Sequence, residues 1–146
     1  MQADTALFEV LVAEAPDAMI FADRDGVIRV WNSRAEAVFG YPSAEVIGGS
    51  LDVIIPERLR SAHWQGFRTA IATGKAKYVG KVLTTRAVHR NGSTLYVDLG
   101  FALIRDKAGT VIGSLAIARD CTQQYLSDKA LRARVSELEG ALQAKS

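Results

Sequence analysis

Between residues 94 and 104 apolar side chains fall at every second position, as Leu95, Val97, Leu99, Phe101 and Leu103, with polar Asp98 on the alternate side. A period of two marks a strand with one face on a core. Strand-like runs over residues 78–90 and 110–119 flank it across Asn91-Gly92 and Lys107-Ala108-Gly109, so the spacing predicts a three-stranded antiparallel meander. Upstream, residues 18–22 and 27–31 are short apolar runs separated by Asp23-Arg24-Asp25-Gly26. The Asp-Gly pair supplies the positive φ of a tight turn, which predicts a hairpin.

Elsewhere the apolar period lengthens to that of a helix. Residues 5–15 place Leu7, Leu11 and Val12 near one face and leave Glu9 and Glu14 to water, and Pro16 ends the segment. Asn32-Ser33 caps a helix carrying Ala35, Val38 and Phe39, with Gly40 as its stop. A short turn follows Pro42 from Ser43 and closes at Gly48-Gly49. Pro56 opens a longer helix, residues 57–72, on which Leu59, His63, Phe67, Ala70 and Ile71 recur on one side before Thr73-Gly74. The order of helix, two strands, several helices, three strands and helix predicts an α+β fold with helices on one face of an antiparallel sheet. Over residues 123–146 the charge rises, and Leu131, Val135, Leu138 and Leu142 step as an a/d seam. Two heptads are marginal alone, so this helix is expected to extend from the domain and pair with a partner, with Gly140 weakening its end. The expected division is a flanking helix at 1–15, a domain at 16–122 and an amphipathic coiled-coil helix at 123–146.

Composition narrows the classes of function. The 146 residues, 49% of them hydrophobic, suffice for one core. Eighteen basic and sixteen acidic residues leave a formal charge of +2, too little to hold nucleic acid by field alone. A single cysteine, Cys121, points to a reducing compartment, so a cytoplasmic location is expected. The first residues lack the order of a secretory signal. The apolar stretch at 111–118 is far shorter than the roughly 20 residues a spanning helix needs, so no membrane insertion is expected.

No phosphate-cradling glycine pattern is present, and Gly74, Gly80 and Gly92 read as turn residues. His89 and Asp98 would make an acid–base pair only if neighbouring strands brought them together. No nucleophile motif accompanies them, and they read as solvated sheet residues. The chain is therefore expected not to be an enzyme. Trp31, Phe39, Trp64, Phe67 and Phe101 read first as core, and Lys129, Arg132 and Arg134 as solvated charge on the last helix.

Several local motifs carry a family resemblance. They are Pro16-Asp17-Ala18 leading to Asp23-Arg24-Asp25-Gly26-Val27-Ile28, Trp31-Asn32 with residues 35–41, Glu45-Val46-Ile47-Gly48, Arg90-Asn91-Gly92-Ser93 and Asp120-Cys121-Thr122. As a set, over about residues 6 to 122, they resemble the PAS family. The resemblance implies a five-stranded antiparallel sheet cupping a small cavity closed by the helices of residues 33–72. It implies a sensory module in signal transduction, of the kind used in two-component and transcriptional regulation. Such a module binds a small ligand or cofactor and relays a change through Asp120 and Thr122 to the dimerising helix of Leu131, Val135, Leu138 and Leu142. A homodimer is the implied assembly, with a separate effector or kinase as partner. The other implied role is a cofactor-free dimerisation module using the N-terminal helix and the sheet surface.

The segment around His63 resembles the helix that supplies the axial haem ligand in FixL-type oxygen sensors. The resemblance makes His63 the candidate iron ligand for haem b, and Tyr78, Leu83, Leu99 and Phe101 candidate cavity residues. Leu83 falls where those sensors carry a polar arginine, so a bound oxygen would lack that donor. A histidine bonded to a backbone carbonyl or a water is the competing reading of His63. Flavin–thiol photochemistry is not implied, because Cys121 lies at the sheet's exit and not in a flavin pocket.

Overall fold

A computed structural model describes residues 4–76 and 80–145 of the chain. Its frame is one antiparallel sheet built from β1 (Ala18–Asp23), β2 (Ile28–Trp31), β3 (Leu83–Val88), β4 (Thr94–Arg105) and β5 (Val111–Asp120), ordered β2-β1-β5-β4-β3. The last three strands form the expected meander, and β1 closes against β5 with Ile20 opposite Ala116. Helices α1 (Thr5–Ala13), α2 (Ser33–Phe39), α3 (Ser43–Val46), α4 (Glu57–Thr73) and α5 (Thr122–Lys145) complete the chain, with one 3-10 turn at Leu51–Ile54.

The pleat decides which side chains enter the core. Ala18, Ile20, Leu95, Val97 and Ala118 share the face covered by helices and are almost fully buried. Ile28, Trp31, Ala35, Phe39 and Val46 join them from β2, α2 and α3, and the Trp31 and Phe39 rings meet at 5.5 Å. The β1–β2 turn forms because the Asp23 carboxylate accepts hydrogen bonds from the amides of Asp25 and Val27, with Gly26 at φ +79°.

Asn32 does more than cap α2. Its Oδ1 accepts from the amides of Ala35 at 3.0 Å and Met19 at 2.9 Å, while Nδ2 donates to the carbonyls of Val12 and Asp17. One side chain, only 4% exposed, thereby ties α1, β1 and α2 together.

The structure departs from the sequence reading at several points. The strand expected over 78–90 is confined to Leu83–Val88 in the described residues. Gly80 adopts φ +77° and Arg90 donates its amide to the Phe39 carbonyl outside the ladder. Helix α1 stops at Ala13, with Glu14 as its cap. Its Leu7, Phe8, Val10 and Leu11 each stay at least half exposed, so the apolar face meets no core. The 3-10 turn at Leu51–Ile54 has no sequence period and starts where Ser50 Oγ accepts the Asp52 amide.

Candidate functional site

Helix α4 begins at Pro56, whose fixed φ of −53° suits a helix entry, and ends where Gly74 takes the left-handed conformation. Arg60 Nε donates to the Ile55 carbonyl and holds the first turn against the preceding segment. Along its length the helix buries little: Ile71, 9% exposed, is its one buried residue. His63, Trp64 and Phe67 are half-buried, with the His63 ring edge-on to Trp64 at 4.7 Å and stacked towards Phe67 at 6.3 Å.

His63 Nδ1 is buried with no hydrogen-bond partner among the described residues. The backbone-bonded histidine of the competing reading is therefore not what Nδ1 makes. Burial pushes the imidazole below its ordinary value of 6.5, and the charge of Asp52 only partly offsets this. The lowered value favours the neutral imidazole, which is the form that ligates iron.

The sheet opposite contributes Leu83, Leu99 and Phe101. Leu83 and Leu99 face each other across β3 and β4, and Phe101 pairs with Ala116, all three half-buried on the helix-covered face. Tyr78 lies outside the described residues. Two open hollows lie among the described residues, and neither is lined by His63, Leu83 or Leu99. One, of about 270 Å³, lies by Val82, Phe101, Ala102, Leu115 and Ile117, and the other, of about 460 Å³, lies by Gly26, Asp52, Trp64 and Arg68. The donor chemistry of His63 suits haem, while Trp64 and Phe67 lie against the ring and neither of these two hollows is lined by it.

A second cluster joins the sheet to α5. Asp120 Oδ1 accepts from the Thr122 amide at 2.9 Å and from Thr122 Oγ1 at 2.6 Å. Thr122 Oγ1 in turn accepts from the Tyr96 amide at 3.0 Å, and the Cys121 amide donates to the Tyr96 carbonyl at 2.8 Å. Tyr96 stacks on Tyr125, with ring centroids 3.8 Å apart and planes within 13°. The first turn of α5 is thus fastened to β4, a strand distant in sequence. Sequence reasoning identified Asp120 and Thr122 and missed Tyr96 and Tyr125. Their signal was an aromatic residue three positions into the helix and another on the polar-facing side of β4.

Cys121 at this junction points its sulfur at Asp98 Oδ1, 3.5 Å away. Burial first, then the hydrogen bond and charge of Asp98, pushes the thiol up to about 11, so it is not a nucleophile at neutral pH. The acid–base pair weighed for His89 and Asp98 does not form. Asp98 sits opposite Thr84 and accepts its hydroxyl, whereas His89 lies beyond the end of β3, where Nδ1 accepts from the Asn91 amide. Along α5, Leu131, Val135, Leu138 and Leu142 are all exposed.

The architecture is a five-stranded antiparallel sheet with helices on one face and a polar joint to a long helix. A family model described as PAS fold matches residues 12–126, so the chain belongs to the PAS family. It is 30% identical over 130 residues to the oxygen sensor protein DosP of Escherichia coli (strain K12), covering 89% of this chain and 16% of that protein. It is 28% identical over 127 residues to the sensor protein FixL of Bradyrhizobium diazoefficiens, covering 87% of this chain and 24% of that protein. The chain thus spans less than a quarter of the length of either relative. A crystal structure of a PAS domain from Colwellia psychrerythraea superposes with a TM-score of 0.69 at 20% identity, covering 81% of this chain and 97% of that one. The chain is a PAS sensory domain of the kind found in sensor proteins. No helix among the described residues is long and apolar enough to cross a membrane.

Proposed function

We propose that the chain works as the input module of a regulator: a small molecule that alters the packing of α4 on the sheet changes the angle or register of α5. The observation that carries this reading is the junction of Asp120, Thr122, Tyr96 and Tyr125, which fixes the base of α5 to β4 by hydrogen bonds and a ring stack. Loose packing of α4 supports the other end of the relay, because a helix with few buried contacts shifts at low cost. The module binds and relays without turning over a substrate. Its output passes through the exposed seam of Leu131, Val135, Leu138 and Leu142 to a second copy, and from the dimer to a separate effector or kinase.

One feature favours a second reading, a cofactor-free dimerisation module. Leu7, Phe8, Val10 and Leu11 of α1 are each at least half exposed, leaving an apolar surface uncovered among the described residues. Sedimentation of the chain carrying both Leu131→Glu and Leu138→Glu separates the two. A dimer that falls to monomer supports pairing through α5, and a dimer that survives points to α1 and the sheet.

A further inference from the structure

The larger of the two hollows, about 460 Å³, is an open depression where the β1–β2 turn, the loop after α3 and the middle of α4 meet, with Asp25 and Arg68 exposed at its rim. Its aromatic wall is fixed. Trp64 Nε1 donates to Asp52 Oδ1 at 2.6 Å, and the ring lies so close over Gly26 that a Cβ there would stand 2.5 Å from its Cζ3. Arg68 follows Trp64 by four residues, one turn along α4, and borders the same hollow. Its guanidinium makes no hydrogen bond or ion pair among the described residues, and neither does the carboxylate of Asp25 on the facing turn. Asp52 spends one oxygen on Trp64 and keeps the other.

A guanidinium, two carboxylates and an indole thus line one cavity without neutralising one another. A simple anion entering it would meet two carboxylates, and a simple cation would leave Arg68 without a partner. A ligand carrying both charges satisfies both. We infer that this hollow is a binding site for a small zwitterion of the α-amino acid type: its carboxylate pairs with Arg68, its ammonium with Asp25 and the free oxygen of Asp52, and its apolar side chain lies against Trp64. The site is separate from the space between His63 and the sheet, and its occupancy is measured independently of any effect on α5.

The full chain is titrated with L-leucine, with 4-methylpentanoate, which lacks the ammonium, and with 3-methylbutylamine, which lacks the carboxylate. The readouts are Trp64 fluorescence, assigned with Trp64→Phe, and the amide shifts of Gly26 and Gly48. L-leucine is expected to saturate, each analogue to bind at least about tenfold more weakly, and Arg68→Ala to weaken L-leucine by a similar factor while sparing the amine. If Arg68→Ala fails to fold by circular dichroism, Asp25→Asn, at an exposed turn position, makes the reciprocal comparison, weakening L-leucine and sparing the acid. No saturable response to L-leucine, or either analogue binding as tightly as L-leucine, overturns the assignment. A saturable response to L-leucine, with both analogues weaker, supports the site whether or not α5 responds.

Discussion

The two halves of this molecule are built to different standards of packing. Around the β1–β2 hairpin, Ala18, Ile20, Ile28, Trp31, Ala35 and Phe39 are each at most 5% exposed, and Asn32 satisfies four hydrogen bonds in their midst. Across the sheet, α4 buries Ile71 alone, Leu83, Leu99 and Phe101 are half-buried, and His63 keeps a buried nitrogen without a partner. A domain that must respond to a small molecule needs both: a frame that holds register, and a wall whose displacement costs little. The joint to α5 sits on β4, which spans the two, with Val97 in the tight core and Phe101 under the looser half.

Truncating one large aromatic residue in each half contrasts them most sharply. Phe39→Ala is expected to lower the unfolding free energy by about 3–5 kcal/mol, and Phe67→Ala by under about 2 kcal/mol, because only the first ring is fully enclosed. Urea denaturation measures both, and equal losses would erase the distinction. An intermediate effect belongs to Asn32→Ala, at about 2–4 kcal/mol, since it strands the Met19 amide and two carbonyls as well as removing a cap.

Acid acts on the looser half through His63. Its folded-state proton affinity is lowered, so as pH falls below 6.5 the unfolded chain takes up a proton that the folded chain refuses. Stability at neutral pH is therefore lost progressively on acidification through that range. His63→Gln is expected to flatten this part of the Tm-against-pH curve, and an unchanged slope would remove His63 from the account. Haem added to the wild-type chain is expected to give no sharp Soret band that His63→Ala abolishes. The smallest effect is on α5, where Gly140→Ala is expected to raise helicity and stabilise the helix by at most about 1 kcal/mol, seen by circular dichroism.

Much of the tight half was legible in the sequence, because its signals are local. Alternation placed Leu95 and Val97 inward, Asp25-Gly26 marked the hairpin, and Asn32 with Gly40 bracketed α2. The remaining contributions are tertiary. Asn32 reaches Val12 and Asp17 only after the chain has folded back, and Trp64 finds Asp52 only because a 3-10 turn without periodicity presents it. At the junction, Asp120 and Thr122 were readable as a contiguous motif. Tyr96 lies 26 residues before Thr122, so no spacing rule could pair them. His63 was legible as a residue of interest, but its surroundings were not, because the fit of Trp64 and Phe67 around it is a matter of rotamers and not of period.

Native-state hydrogen exchange of the full chain, wild type against Tyr125→Ala, tests the coupling between the looser half and α5 most directly. Tyr125 touches the Tyr96 ring at the junction, and coupling between two sites is reciprocal, so a loosened joint must be felt at α4. The expected result is faster exchange along residues 57–73, with β1, β2 and α2 keeping their protection. Unchanged protection of α4, or an equal loss throughout the domain, would contradict the relay.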